Sequence, residues 1–227
     1  MRKIAFSDIH GCNLSFGALL DQVAPVAGDE LYFLGDYIDR GPDTKGVIDR
    51  IWELEQQGFL VKCLKGNHEQ MMLESYIDYQ NRTLWIANGG KAVLDSFGVQ
   101  HVLEIPAAYL NWLENLEYYL EIDEYILVHA GLNFDILSPF DHIHSMLWIR
   151  QWYEDINYDW LDGRIILHGH TPIAKNAIVQ QLQKIEHQQY LDIDAGCVHK
   201  GKRPWLGDLC AFDMTNRLLY FQENIDF

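Results

Sequence analysis

Residues 31–41 read LYFLGDYIDRG: an apolar run that halts on Gly35 and then presents Asp36, Asp39 and Arg40 within a few positions. A short apolar run closed by glycine is the pattern of a buried strand ending in a loop. Here the loop holds two carboxylates and a guanidinium, so the strand delivers chemistry rather than a plain turn. The arrangement recurs on both sides. Residues 3–7 (KIAFS) run into Asp8-Ile9-His10, and Phe59 to Leu64 runs into Gly66-Asn67-His68-Glu69. Further on, YILV leads into His129-Ala130-Gly131, and RIIL leads into His168-Gly169-His170-Thr171.

Helical spacing fills the intervals of the first half. Leu14, Leu19, Leu20 and Val23 share one face, and so do Val47, Ile48, Ile51, Trp52 and Leu54, after a capping Pro42-Asp43-Thr44. Another helix is expected from about Glu69 to Tyr79. Strand–helix–strand alternation of this kind defines an α/β unit with parallel strands. Ligands bind such sheets beyond the carboxyl ends of the strands, where all five blocks fall. Residues 81–121, rich in Trp, Tyr and Leu and carrying Asn88-Gly89-Gly90, read as a helical insertion over one rim of the site. From Tyr125 onward strands dominate (YILVHAG, RIILHGHT, QYLDIDAG, DLCAFDM, RLLYF) and suggest a second sheet with turns between short strands. With no repeat or linker in sight, residues 1–227 read as one domain.

Composition narrows the function. The chain is 48% hydrophobic, which argues against disorder, and its formal net charge of −16 argues against binding DNA or RNA. That field also disfavours highly anionic substrates unless the site carries local positive charge, which bound divalent cations would supply. No apolar run approaches the ~20 residues of a membrane span. MRKIAFSDIHG enters a strand at once, so a cytoplasmic protein without a membrane partner is expected. The four cysteines, Cys12, Cys63, Cys197 and Cys210, show no CxxC pairing and read as reduced thiols packed under loops.

The donors in the five blocks exceed what one ion can use. Asp8 and His10 alternate and can point the same way from an extended turn. Asp36 has two oxygens and is the natural bridge between two cations. Asn67 offers an amide oxygen, and His129 and His170 offer imidazole nitrogens. This mixed oxygen and nitrogen set without thiolate suits manganese, with iron or zinc as alternatives. Two ions ~3.5–4 Å apart can hold a shared hydroxide for in-line attack on phosphorus. Arg40 can fork onto phosphate oxygens, His68 can protonate the leaving group, and Asp39 can orient His68. A lone DxH or HAG is more often a structural pair than a site; five blocks in order after strands are not.

Taken together, DIHG, GDYIDRG, GNHE, HAG and HGHT resemble the calcineurin-like metallophosphoesterases, and within them the bacterial and phage serine/threonine protein phosphatases. The resemblance spans nearly the whole chain. It implies a four-layer α/β/β/α sandwich, one metal on Asp8, His10 and Asp36, and a second on Asp36, Asn67, His129 and His170. It makes Arg40 a phosphate clamp and His68, paired with Asp39, the general acid. Leu147-Trp148-Ile149-Arg150 is similar to the family's second phosphate-binding arginine motif and nominates Arg150. Two positions depart from the pattern: Ser7 stands where close relatives have glycine, and Pro172 stands where many members carry another ligand. Pro172 leaves the first metal fewer protein ligands, a feature the protein-phosphatase branch shares.

The expected substrate is a phosphoprotein or a small phosphoester. The rival is symmetrical hydrolysis of dinucleoside tetraphosphates, disfavoured by Glu69-Gln70-Met71-Met72 after the GNH block. A non-catalytic binding module should have lost ligands, and none is lost here. His168 is read as lying outside the first shell of ligands, Asp194 as bonding a loop backbone, and His199 as a candidate for the rim.

Overall fold

The computed structural model describes all 227 residues. Two sheets face each other. The first has the order β3-β2-β1-β8-β9, formed by Lys3–Phe6 (β1), Glu30–Phe33 (β2), Leu60–Cys63 (β3), Asp208–Asp213 (β8) and Leu218–Glu223 (β9). The second, β4-β5-β6-β7, comprises Tyr119–Ile122, Tyr125–Val128, Ile165–His168 and Tyr190–Asp192. Strands β1, β2 and β3 pair in parallel, as do β5, β6 and β7, while β8 runs antiparallel to β1.

Side-chain alternation produces the layers. Because successive strand residues face opposite ways, Ile4, Phe6, Leu31, Phe33, Leu209 and Ala211 pack outward. They meet Phe16, Leu19 and Leu20 of α1 (Asn13–Val23) and Val47, Ile48 and Ile51 of α2 (Thr44–Gln56). Their neighbours Ala5, Tyr32, Cys210 and Phe212 face inward, onto Tyr125, Leu127, Ile165 and Leu167 of the second sheet. Ile126, Val128 and Ile166 point out the far side, onto Met146 of α7 (Ile143–Trp148), Trp152 and Leu161. Three apolar cores thus separate four layers, the α/β/β/α sandwich that the resemblance implied.

Four expectations need correction. Strands β8 and β9 do not belong to the second-half sheet; they complete the first, with Ala5 opposite Phe212. DLCAFD is buried on both faces there, with Leu209 and Ala211 in the core under α1 and α2 and Cys210 and Phe212 in the core between the sheets. The insertion is helical only to Glu114, through α4 (Tyr79–Trp85), α5 (Lys91–Phe97) and α6 (Ala107–Glu114), and then gives strand β4 on the edge of β5. The helix expected from Glu69 to Tyr79 is α3, Asn67–Glu74, and stops five residues short of Tyr79. The second half also carries helices between its strands, notably α9 (Lys175–Gln183) beside β7. No helix is long and apolar enough to cross a membrane.

Candidate metal centre and active site

The loops after β1, β2, β3, β5 and β6 meet at one edge of the sandwich. Their backbone is held in unusual conformations: Asp8, His10, Asp36, Asp39, Arg40 and His170 all have φ between 45° and 71°. Left-handed geometry outside glycine costs energy and persists where the surroundings over-determine it. Glu69 is one such constraint. Its buried carboxylate accepts the backbone N–H of Asp36 (2.9 Å), Tyr37 (2.9 Å) and Gly66 (2.8 Å), tying the second loop to the third. The two loops touch so closely that a Cβ on Gly66 would lie 2.2 Å from Asp36 Oδ1.

Asp36 sits at the centre, only 2% exposed. Its Oδ2 lies 3.5 Å from His10 Nε2, and its Oδ1 lies 3.4 Å from His129 Nε2. Two trios of ligand atoms therefore share it: His10, Asp36 and His68, and Asp36, His129 and His170. The tautomers show what this cluster accepts. His129 Nδ1 is 2.9 Å from the Leu34 carbonyl, so it carries the proton and donates. Its Nε2 is then a bare lone pair, yet it faces Asn67 Oδ1 at 3.0 Å and Asp36 Oδ1. His10 repeats the design: Nδ1 donates to the Ile38 carbonyl at 2.8 Å, and Nε2 faces Asp36 Oδ2 and the Arg40 guanidinium at 2.7 Å. Lone pairs gathered across a buried gap suit a cation, and imidazoles anchored through their other nitrogen are the ordinary form of metal ligands. His170 places Nδ1 2.8 Å from the same Asn67 oxygen and leaves Nε2 buried without a partner. The residues present fit divalent metal.

Asp8 is buried at the same edge, and its carboxylate accepts the Ser7 hydroxyl and the His170 amide, at 3.2 Å from either oxygen. Ser7, at the position where relatives carry glycine, is thus in contact with a candidate ligand.

His68 is clamped. Its Nδ1 lies 2.5 Å from Asp39 Oδ2, and the other Asp39 oxygen accepts Trp85 Nε1–H at 2.8 Å. The second ring nitrogen, Nε2, points into the centre 3.9 Å from Asp36 Oδ2. Trp85 comes from the insertion, whose irregular turn over Ile86–Gly90 also places the Gly89 carbonyl 3.2 Å from Arg40 N. Gly89, at φ 112°, approaches so closely that a Cβ would lie 2.7 Å from Arg40 Cγ. The insertion therefore positions Asp39, and through it His68, together with Arg40, a role no local pattern announced. Arg150 stands at the rim, 3.4 Å from Thr171 Oγ1, and pairs with no carboxylate. His168 lies outside both trios, between Tyr153 and Trp152. Asp194 accepts Gly196 N–H at 2.8 Å, as expected, but is also buried close enough to Asp8 for their charges to interact. Glu69 had a readable signal, since it lies three residues after the helix cap Gly66; Trp85 had none.

Burial drives the electrostatics. It pushes the carboxyls of Asp8 and Asp36 well above the usual carboxylate range, helped by Asp194 at the first and Glu69 at the second. Asp194 rises to about 7, from burial first. Burial also lowers the imidazoles: His10 falls well below its ordinary value, helped by Arg40, and His170 falls to about 2, helped by His129. The sign for metal uptake follows. His10 and His170 are neutral at neutral pH and do not compete with a cation, whereas carboxyls raised by burial hold protons that a cation must displace. Metal affinity should therefore rise with pH as these carboxyls lose their protons, by up to roughly tenfold per unit for each proton displaced. Calorimetry in buffers of different ionisation enthalpy checks this; uptake without proton release would contradict it.

Glu69→Gln should destabilise the fold by about 2–3 kcal/mol, the scale of hydrogen bonds to a charged acceptor. The amide would turn a donor onto N–H groups that now share a carboxylate. Urea unfolding of the metal-free variant checks it, and an unchanged midpoint would remove Glu69 from this role.

A buried, oxygen- and nitrogen-lined centre with an adjacent acid pair, at the strand ends of a four-layer sandwich, defines the class of metal-dependent phosphoester hydrolases. The Calcineurin-like phosphoesterase family matches residues 1–209, and the chain belongs to that family. It is a hydrolase of a family that uses divalent metals. It is 32% identical over 135 residues to a symmetrical bis(5'-nucleosyl)-tetraphosphatase of Nitrosomonas europaea, covering 58% of this chain and 45% of that protein. This chain therefore spans less than half the length of that relative. It is 26% identical to serine/threonine-protein phosphatase 1 of Salmonella typhimurium, covering 86% of each chain. The structure of a protein serine/threonine phosphatase from Saccharomyces cerevisiae superposes with a TM-score of 0.71 at 15% identity, covering 99% of this chain and 80% of that one, which shows a shared fold.

Proposed function

We propose that the whole chain, as one domain, is a dinuclear-metal phosphohydrolase that acts on phosphate esters. The observation that supports this best is the shared Asp36, with one oxygen toward His10 and the other toward His129. We assign Asp8, His10 and Asp36 to one ion and Asp36, Asn67, His129 and His170 to the other, with manganese the best match to the donor set. Two divalent cations there supply charge neutralisation and an acidified water. Arg40 and Arg150 hold the non-bridging oxygens from opposite sides of the cleft. As the water oxygen bonds to phosphorus, the bond to the leaving oxygen breaks, and His68, oriented by Asp39, delivers the proton that this oxygen needs.

Two substrates fit. Phosphoserine or phosphothreonine in proteins is favoured by the motif pattern and by the match along 86% of the Salmonella phosphatase. Dinucleoside tetraphosphate is favoured by the higher identity, 32% over 135 residues, to the Nitrosomonas enzyme. The test is turnover by metal-stripped protein with manganese restored, on a phosphoserine peptide and diadenosine tetraphosphate side by side, with p-nitrophenyl phosphate as a reference. Manganese-dependent hydrolysis of p-nitrophenyl phosphate upholds the phosphohydrolase reading. No hydrolysis of any of the three, with metal bound, would overturn it.

A further inference from the structure

The loop of residues 197–207, between β7 and β8, lies beside the site without taking part in it. Within it, Lys200 is neutralised by Glu223 at 2.9 Å. Lys202 and Arg203 are not: both are exposed and neither lies within 4.0 Å of a carboxylate. Lys202 lies over the Phe227 ring instead, its Nζ 5.4 Å from the ring centroid. Lys202 lines a groove of about 370 Å³ together with Arg40, His199, Asn88 and Gly89. Arg40 is itself in contact with His10 at the metal centre, so the groove opens directly from the reaction cleft. Half-buried His199 senses all three cations: burial first, then Arg40, Arg203 and Lys202, hold its pKa near 4. It is therefore a neutral hydrogen-bonding group at neutral pH. The same loop presents Trp205 with 82% of its surface exposed.

We propose that this loop is a second anion subsite, in which Lys202, Arg203 and His199 hold a further phosphate of a nucleoside polyphosphate whose scissile phosphate lies on Arg40, and Trp205 offers its ring to the base. A cation lining a groove off the cleft, on a loop that also exposes an indole two residues after Arg203, matches a phosphate chain ending in a nucleobase. A phosphoserine side chain in a neutral peptide has nothing to place there. The inference rests on the phosphohydrolase reading and, within it, selects the polyphosphate substrate.

The test compares Lys202→Ala/Arg203→Ala and Trp205→Ala with the parent, as manganese-loaded full-length protein. The substrates are p-nitrophenyl phosphate, inorganic tripolyphosphate, diadenosine tetraphosphate and a phosphoserine peptide with acidic flanks. The double variant should leave p-nitrophenyl phosphate turnover within about twofold of the parent. It should lower kcat/KM for tripolyphosphate and the dinucleotide by roughly tenfold or more, mainly through KM, the scale of losing charge-assisted contacts. Trp205→Ala should weaken the dinucleotide by about fivefold or more, as expected for lost base stacking, and spare tripolyphosphate. Equal effects on all substrates, or none, would overturn the subsite. Losses confined to the acidic phosphopeptide would overturn its assignment to polyphosphate. If the parent fails even on p-nitrophenyl phosphate, it is the underlying phosphohydrolase reading that falls, which separates the two failures.

Discussion

His68→Asn should keep both cations bound and lower kcat on a phosphoserine peptide by roughly 10²–10⁴-fold, the worth of a positioned acid. On p-nitrophenyl phosphate, whose phenolate leaves without help, the loss should be far smaller. The difference follows from where the ring stands. Nδ1 is fixed on Asp39 at 2.5 Å, so only Nε2 is free to reach a leaving oxygen, and it faces the centre. An asparagine amide retains a hydrogen-bonding group near Asp39 but has no proton to deliver. Metal content measured by elemental analysis separates this outcome from ligand loss. Equal loss on both substrates would argue that His68 holds metal or structure, a real alternative because the structure places it in the first trio with His10 and Asp36.

Asp36→Asn should have the larger effect on metal. Removing one outer-shell partner of a metal ligand costs roughly 10–100-fold in affinity or activity; removing a carboxylate that serves both trios should cost more on each count. The expected result is at most one tightly bound manganese per chain and activity near background on every phosphoester. The fold should survive, since Glu69 holds the loop through backbone N–H groups and not through the Asp36 side chain. Unchanged circular dichroism with lost metal would support the bridging assignment. Two ions retained at parental affinity would sink it.

The ranking of these effects reflects geometry that the motifs only partly revealed. The residue types of the centre were legible because each follows a strand, and strands are legible from short apolar runs. Asp36, His129, Asn67 and His170 were named from donor chemistry alone, and the fold brings their atoms within about a hydrogen-bond length of each other. Alternation with His10 puts Asp8 on the same side of an ideal extended turn; both residues instead sit at φ near 45°, and the Asp8 carboxylate also accepts bonds from Ser7 and His170.

The strand assignments of the second half show the same limit. DLCAFD and RLLYF were recognisable as strands, yet nothing in their pattern says which sheet they join. A strand's alternation records that each face is buried, not against what. The choice is made by the unpaired edge of β1, a segment near the opposite end of the chain.

What the sequence determined by itself is local: which segments bury apolar side chains, where strands stop, and which oxygen and nitrogen donors stand at their ends. From these came the α/β class, the family resemblance and the expectation of a two-metal hydrolase. The tertiary structure decided everything that depends on distant segments meeting. It drew Glu69 across two loops, set Trp85 of the insertion behind Asp39, turned β8 and β9 into the first sheet, and laid Lys202 and Arg40 along one groove. The physical reason is that burial and backbone hydrogen bonding leave a periodic trace along the chain. Contacts between residues far apart in sequence leave none until the layers have packed.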